Sequence, residues 1–122
     1  MKIWIVYGSF FSLLAIVLGA FGGHGVKNVL DQYSREIYEK AIYYHFIHSL
    51  AIILIAILNN QYNNINLSYS VYLFLFGIII FSGSLYVLAI TGIKWLGAIT
   101  PIGGLLFIFG WVYMIVAFLK HN

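Results

Sequence analysis

The sequence predicts an all-α fold, an integral membrane four-helix bundle with a short amphipathic interfacial helix between spans one and two. Three observations carry that expectation. Four apolar runs, at about residues 3–23, 41–58, 68–90 and 96–119, fill most of the 122 positions. Each reaches the ~18–20 residues a helix needs to cross a ~30 Å hydrocarbon core. Hydrophobic residues make up 63% of the chain and charged residues 7%, where a soluble domain carries roughly 25% charged residues. Mean hydropathy is +1.00, and so few charges cannot cover a water-facing surface.

The length allows one membrane domain, residues 1–122, and no second one. Cysteine is absent, which excludes disulfide and thiol chemistry. The net charge of +3 rests on six Lys and Arg residues. That suits a lipid bilayer with anionic headgroups and is too sparse for a nucleic-acid partner.

The first run superficially resembles a secretory signal, with Lys2 before it and Ala20-Phe21-Gly22 as a loose small-x-small site. Its length of about 20 residues exceeds the roughly 7–15 of a signal h-region, so a retained helix is expected. Ala15, Gly19 and Gly23 recur every four residues, a spacing that lets helices approach closely in lipid.

Between the first two spans, Val26, Val29, Leu30, Tyr33 and Ile37 alternate with polar residues at helical spacing. This predicts the interfacial helix. Ser34 is the expected cap of the next helix, with Glu36 and Lys40 paired at i,i+4. The second span places His45 and His48 on one face, with Ser49 beside them. The connector over 59–67, rich in Asn, predicts a solvated turn. The third span carries Ser82, Ser84 and Tyr86 in its later part.

Thr100-Pro101 interrupts the fourth run. Proline has no N–H to donate and fits the first turn of a helix, so a helix is expected to start there with Thr100 as its cap. Residues 95–100 then form a turn or partial helix. Gly103 and Gly110 lie seven apart on one face and predict another close contact. Trp4, Tyr7, Tyr69, Tyr72, Trp111 and Tyr113 suggest an aromatic belt towards the chain termini. Tyr33, Tyr38, Tyr43 and Trp95 suggest one at the other face.

An even number of spans brings the end of the first, the start of the second, the end of the third and the start of the fourth to one face. His24, His45, His48, Ser49, Ser82, Ser84, Tyr86, Thr91 and Thr100 should then form one polar layer. Intramembrane polar groups point inward and find partners. His48 is expected to bond across to the 81–86 segment, and His45 to sit nearer the interface, partly hydrated. Lys27, Arg35, Lys40 and Lys94 lie on this face against Lys2 and Lys120 on the other. That bias favours cytoplasmic loops at 24–40 and 91–95.

Four segments together carry a resemblance: 19–25 with Gly22-Gly23-His24-Gly25, Tyr44-His45-x-x-His48-Ser49-Leu50-Ala51, Phe81-Ser82-Gly83-Ser84-Leu85-Tyr86, and 96–104 with Thr100-Pro101 at its centre. They resemble the family catalogued as domain of unknown function 423, similar to the eukaryotic transmembrane protein 256. The family pattern commonly reads Gly-Ala-His-Gly where this chain has Gly22-Gly23-His24-Gly25. The resemblance implies a four-helix inner-membrane protein of bacterial type and no established activity.

With no nucleophile–base pair and no carboxylate inside a span, the expectation is a non-enzymatic plasma-membrane protein without a cofactor. It would serve membrane integrity or partner other membrane proteins, and self-associate through the Ala15/Gly19/Gly23 or Gly103/Gly110 face. The alternative is a metal ion or haem bound by the histidines, or proton or solute conduction through them.

Overall fold

In a computed structural model, the described residues, 2–25 and 30–120, are almost wholly helical. The side chains of 23–25 lie outside the description. Four helical stretches are long and apolar enough to cross a membrane: Lys2–Gly22, Gln32–Gln61, Ser68–Thr91 and Lys94–Lys120. Helix is the expected solution, because lipid offers no partner to an unpaired backbone group.

Helix α1 covers Lys2–Gly25 and α2 covers Gln32–Gln61. The first span packs antiparallel on the second: Gly8 lies beside Ser49 and Ile53, Gly19 beside Ile42, and Gly22 beneath the Tyr38 ring. The buried line on α1 is Gly8, Ala15 and Gly22. Small residues seven apart let the two backbones close up. This replaces the expected Ala15/Gly19/Gly23 line. Gly19 is half-buried, a Cβ there would meet Ile42 at an ordinary 3.6 Å, and the side-chain position of Gly23 is outside the described residues.

At 30 residues, α2 is about 45 Å long at ~1.5 Å per residue, well beyond a ~30 Å core. Its first nine residues, 32–40, hold Arg35, Glu36, Glu39 and Lys40 and extend past the apolar stretch. The segment expected as a separate interfacial helix is, over 32–40, continuous with α2; residues 26–29 lie outside the described residues. The cap is Asp31 rather than Ser34. Asp31 is extended, and its carboxylate accepts from the Ser34 N–H at 2.8 Å. An aspartate one residue before the helix reaches the third N–H of the first turn, which a serine inside that turn cannot do for itself.

The short connection to the third span is anchored rather than fully solvated. Leu67 and Ile65 are buried, and the Leu67 N–H donates to Asn59 Oδ1 at 2.8 Å. The third span is three pieces in line: α3, Ser68–Gly77; a π-helical turn, Ile78–Ser82; and α4, Gly83–Thr91. Gly92 ends it in the left-handed conformation, φ 72°, with its N–H on the Leu88 carbonyl at 2.8 Å. Only a glycine takes that conformation without a steric cost. A 3₁₀ helix, Lys94–Ala98, then leads into α5, Thr100–Lys120. Pro101 stands in the first turn, as expected.

The bundle is uneven. Of the most apolar stretch, 44% of residues are buried in the second and third spans against 17% in the first and fourth. The centre is the α2–α3 pair with α5 laid on α3, where Ile52, Ile55, Val71, Phe74, Ile78 and Phe107 close the core. Gly103 and Gly110 serve that contact within the chain: a Cβ at Gly103 would strike the Phe81 backbone and one at Gly110 the Phe74 ring.

Candidate functional site

His45 and His48 both lie on the buried side of α2, 3% and 4% exposed. From the boundary near Lys40, eight residues of helix carry His48 about 12 Å into the membrane. Its partners fix its protonation pattern. Nδ1 lies 2.8 Å from the Tyr44 carbonyl, which can only accept, so Nδ1 carries the proton. Trp111 Nε1–H, which can only donate, points at Nε2 from 3.0 Å. The imidazole is therefore neutral, with both nitrogens engaged, and it stacks on Phe107 at a centroid distance of 3.7 Å.

The partner across the bundle is thus Trp111 of α5, and the expected partner, the 81–86 segment, is not involved. The expected place of Trp111 in the terminal-side belt also fails. Eleven residues from Thr100 put Trp111 about 16 Å into the membrane, near the middle, where an indole N–H needs a protein acceptor. Tyr113, two residues on, does reach the terminal side, where its hydroxyl donates to the Asn66 carbonyl at 3.0 Å.

His45 is fully within the bundle rather than at a hydrated edge. Its Nδ1 bonds the Tyr86 hydroxyl of α4 at 2.8 Å. Tyr86 packs edge-on to Tyr38, with ring centroids 5.4 Å apart. The Tyr38 hydroxyl donates to the Leu18 carbonyl of α1 at 2.6 Å. The His45 ring lies against the Phe11 backbone of α1, but its buried Nε2 makes no hydrogen bond of normal geometry there, and neither does the buried hydroxyl of Ser12 on α1.

The remaining polar residues pair off separately. Ser82, in the π turn, donates to the Ala41 carbonyl of α2 at 2.8 Å. Ser84 and Thr100 share a bond of 2.6 Å between α4 and α5. Ser70 donates to the Gly110 carbonyl at 2.8 Å, a cross-helix bond that sequence reasoning passed over. Ser49 and Thr91 turn back on their own helices, to the His45 carbonyl at 2.7 Å and the Val87 carbonyl at 2.6 Å. The side chain of His24 is outside the described residues. The residues expected in one layer therefore pair off separately, along roughly 12 Å of depth from Thr100 to His48. Helices carry side chains at fixed heights, and Thr100, at the start of α5, cannot share one height with His48, eight residues into α2 from Lys40.

Among the described residues, no three His, Cys, Asp or Glu side chains come together as a metal ligand set. Ahead of α2, Asp31 has a displaced pKa. The Ser34 N–H on its carboxylate holds it below the usual 3.8, with the Ser34 side chain and Arg35 adding to the effect.

Residues 18–104 match the family described as protein of unknown function DUF423. The chain is 43% identical over 120 residues to a UPF0382 membrane protein of Staphylococcus epidermidis, covering 98% of each. It is 42% identical over 120 residues to the UPF0382 membrane protein SH2409 of Staphylococcus haemolyticus, again 98% of each. The UPF0382 membrane protein YwdK of Bacillus subtilis is 38% identical over 122 residues, covering 99% of each. No solved structure matches. With four membrane-length helices and relatives named as membrane proteins over almost their whole length, the chain is a multi-pass membrane protein, and it belongs to the DUF423 family.

Proposed function

We propose that this is a non-enzymatic plasma-membrane protein that supports membrane integrity or acts as a partner of other membrane proteins, and that its polar residues set helix register. The observation that carries the reading is His48, whose two nitrogens both have partners from the protein itself. A side chain so engaged has no free position for substrate, metal or proton transfer. The Lys and Arg bias argues for loops 24–40 and 91–95 on the cytoplasmic side. The faces most open to a partner are the outer ones of α1 and α5, the less buried spans, which present Leu13, Val17, Ile108 and Val112. The Gly103/Gly110 face is occupied inside the chain, so self-association would have to use the outer faces.

The test is rescue. Cells deleted for the chain would be scored for dye and proton leak across the membrane. Wild type and His48→Gln should restore the barrier about equally where the variant accumulates to the same level. If a well-expressed His48→Gln chain failed to restore it, a chemical role for the imidazole would replace this reading.

A second reading rests on one observation, the Nε2 of His45, which is buried near the Phe11 backbone without a hydrogen bond of normal geometry. A small ligand, a metal ion or haem, could be held there between α1 and α2. Elemental analysis and a visible absorption spectrum of the membrane-purified chain separate the two readings. A stoichiometric metal or a Soret band lost in His45→Leu would establish the second.

A further inference from the structure

We propose that the groove between the start of α2, α4, the 3₁₀ helix and the start of α5 binds one anionic phospholipid. The groove measures about 450 Å³, and its walls include Tyr33, Ile37 and Lys40 of α2, Leu88 of α4, Gly97 of the 3₁₀ helix and Pro101 of α5. That volume is within the roughly 300–1,000 Å³ of small-molecule sites. Its place along the bundle sets the kind of ligand. Lys40 stands where α2 leaves the apolar stretch, at headgroup level, and Leu88 and Pro101 belong to the apolar spans. The groove therefore runs from the interface into the acyl region.

Charge selects among lipids. The expected Glu36–Lys40 pair does not form: Glu36 accepts from Gln32 at 3.5 Å, and Lys40 is exposed and makes no hydrogen bond or ion pair among the described residues. A free ammonium at this height attracts a phosphate that carries net negative charge. The exposed Tyr33 adds a phenol at the rim, a residue type suited to the polar–apolar boundary. Deeper in, the groove is walled by the apolar Leu85 of α4 and by Phe81, so that end suits a hydrocarbon chain. An amphiphile with one negative head matches this order of surfaces. A free anion would leave the apolar wall uncovered, and a zwitterionic lipid would bring its own cation up to Lys40.

The experiment is native mass spectrometry of the full chain released from mild detergent, titrated with phosphatidylglycerol and with phosphatidylcholine. One phosphatidylglycerol should be retained per chain, well above phosphatidylcholine. Lys40→Gln should weaken retention about fivefold and Lys40→Arg should keep it, while Lys120→Gln, on the other face, should leave it unchanged. Gly97→Leu tests the shape independently of charge. A Cβ there meets only Leu88, at 3.9 Å, so the variant should fold, as circular dichroism would verify, and its larger side chain should obstruct the groove and lower retention. Equal retention of the two lipids would overturn the proposal, as would a Lys40→Gln chain that binds like wild type or a Lys120→Gln chain that loses as much.

Discussion

Two residues show how local chemistry is legible while partnership is not. His48 could be recognised from sequence as an inward-facing group that needs partners, because a lone imidazole in lipid is costly. Which helix supplies the partner depends on the rotation of α5 about its own axis, and an apolar run such as 102–119 gives almost no rotational signal. Sequence alone therefore points Trp111 to a belt, whereas it is the donor to His48. We predict that Trp111→Phe, which removes the N–H and keeps a ring, lowers stability in detergent by roughly 1 kcal/mol, in line with bonds between membrane helices. Thermal unfolding would measure it, and His121→Leu should be near neutral. Asp31 makes the complementary case outside the membrane. Its pKa is lowered on folding, so the capped state is favoured wherever the carboxylate is ionised. That contribution is complete above the unfolded value near 3.8 and is lost as pH falls through the lower folded value. Amide exchange in the first turn of α2 should accelerate only at such acid pH, and Asp31→Ala should abolish that pH dependence.

For elements, the spans follow from length and composition, and the start of α5 from Pro101. The π turn at Ile78–Ser82 had no counterpart in the expectations, because the run Ile-Ile-Ile-Phe-Ser is an ordinary apolar helix by composition. What places it is tertiary: the Phe81 backbone lies directly against Gly103, and Ser82 reaches the Ala41 carbonyl. The seven-residue line of Gly8, Ala15 and Gly22 and the four-residue line beside it are both visible in the sequence, and small residues alone do not say which of them faces α2. Glycines here are not equivalent. A methyl at Gly103 meets the Phe81 Cα at 2.7 Å, and backbone cannot step aside; at Gly83 it meets nothing within 4 Å. Gly103→Ala should cost about 1–3 kcal/mol through overpacking. Gly83→Ala, in a helix, should be neutral or gain up to about 1 kcal/mol. Reversible unfolding in mixed micelles would rank the two variants, and the reverse order would mean that α5 sits differently on the π turn.

Across the whole molecule, the even topology was enough to bring the right ends of the spans together, and it misled only by compressing them into one plane. Several bonds lie on the boundary between the first two helices and the rest: His45 with Tyr86, His48 with Trp111, and Ser82 with the Ala41 carbonyl. The first helix, by contrast, is held almost wholly by the second.

That arrangement has a consequence for biogenesis. Each half of the chain, α1–α2 and α3–α5, is an apolar hairpin that can enter the bilayer on hydropathy alone, and the bonds between them, from His45, His48 and Ser82, form only when the halves meet. Insertion and recognition are therefore separate steps, as in two-stage assembly. We predict that residues 1–62 and 63–122, expressed as two polypeptides in one cell, each insert and then co-purify as a pair. The pairing should weaken when His48 and Ser82 are replaced together by Leu and Ala, with insertion of each half unchanged. Halves that degrade unless synthesised as one chain would show that docking is needed for insertion itself.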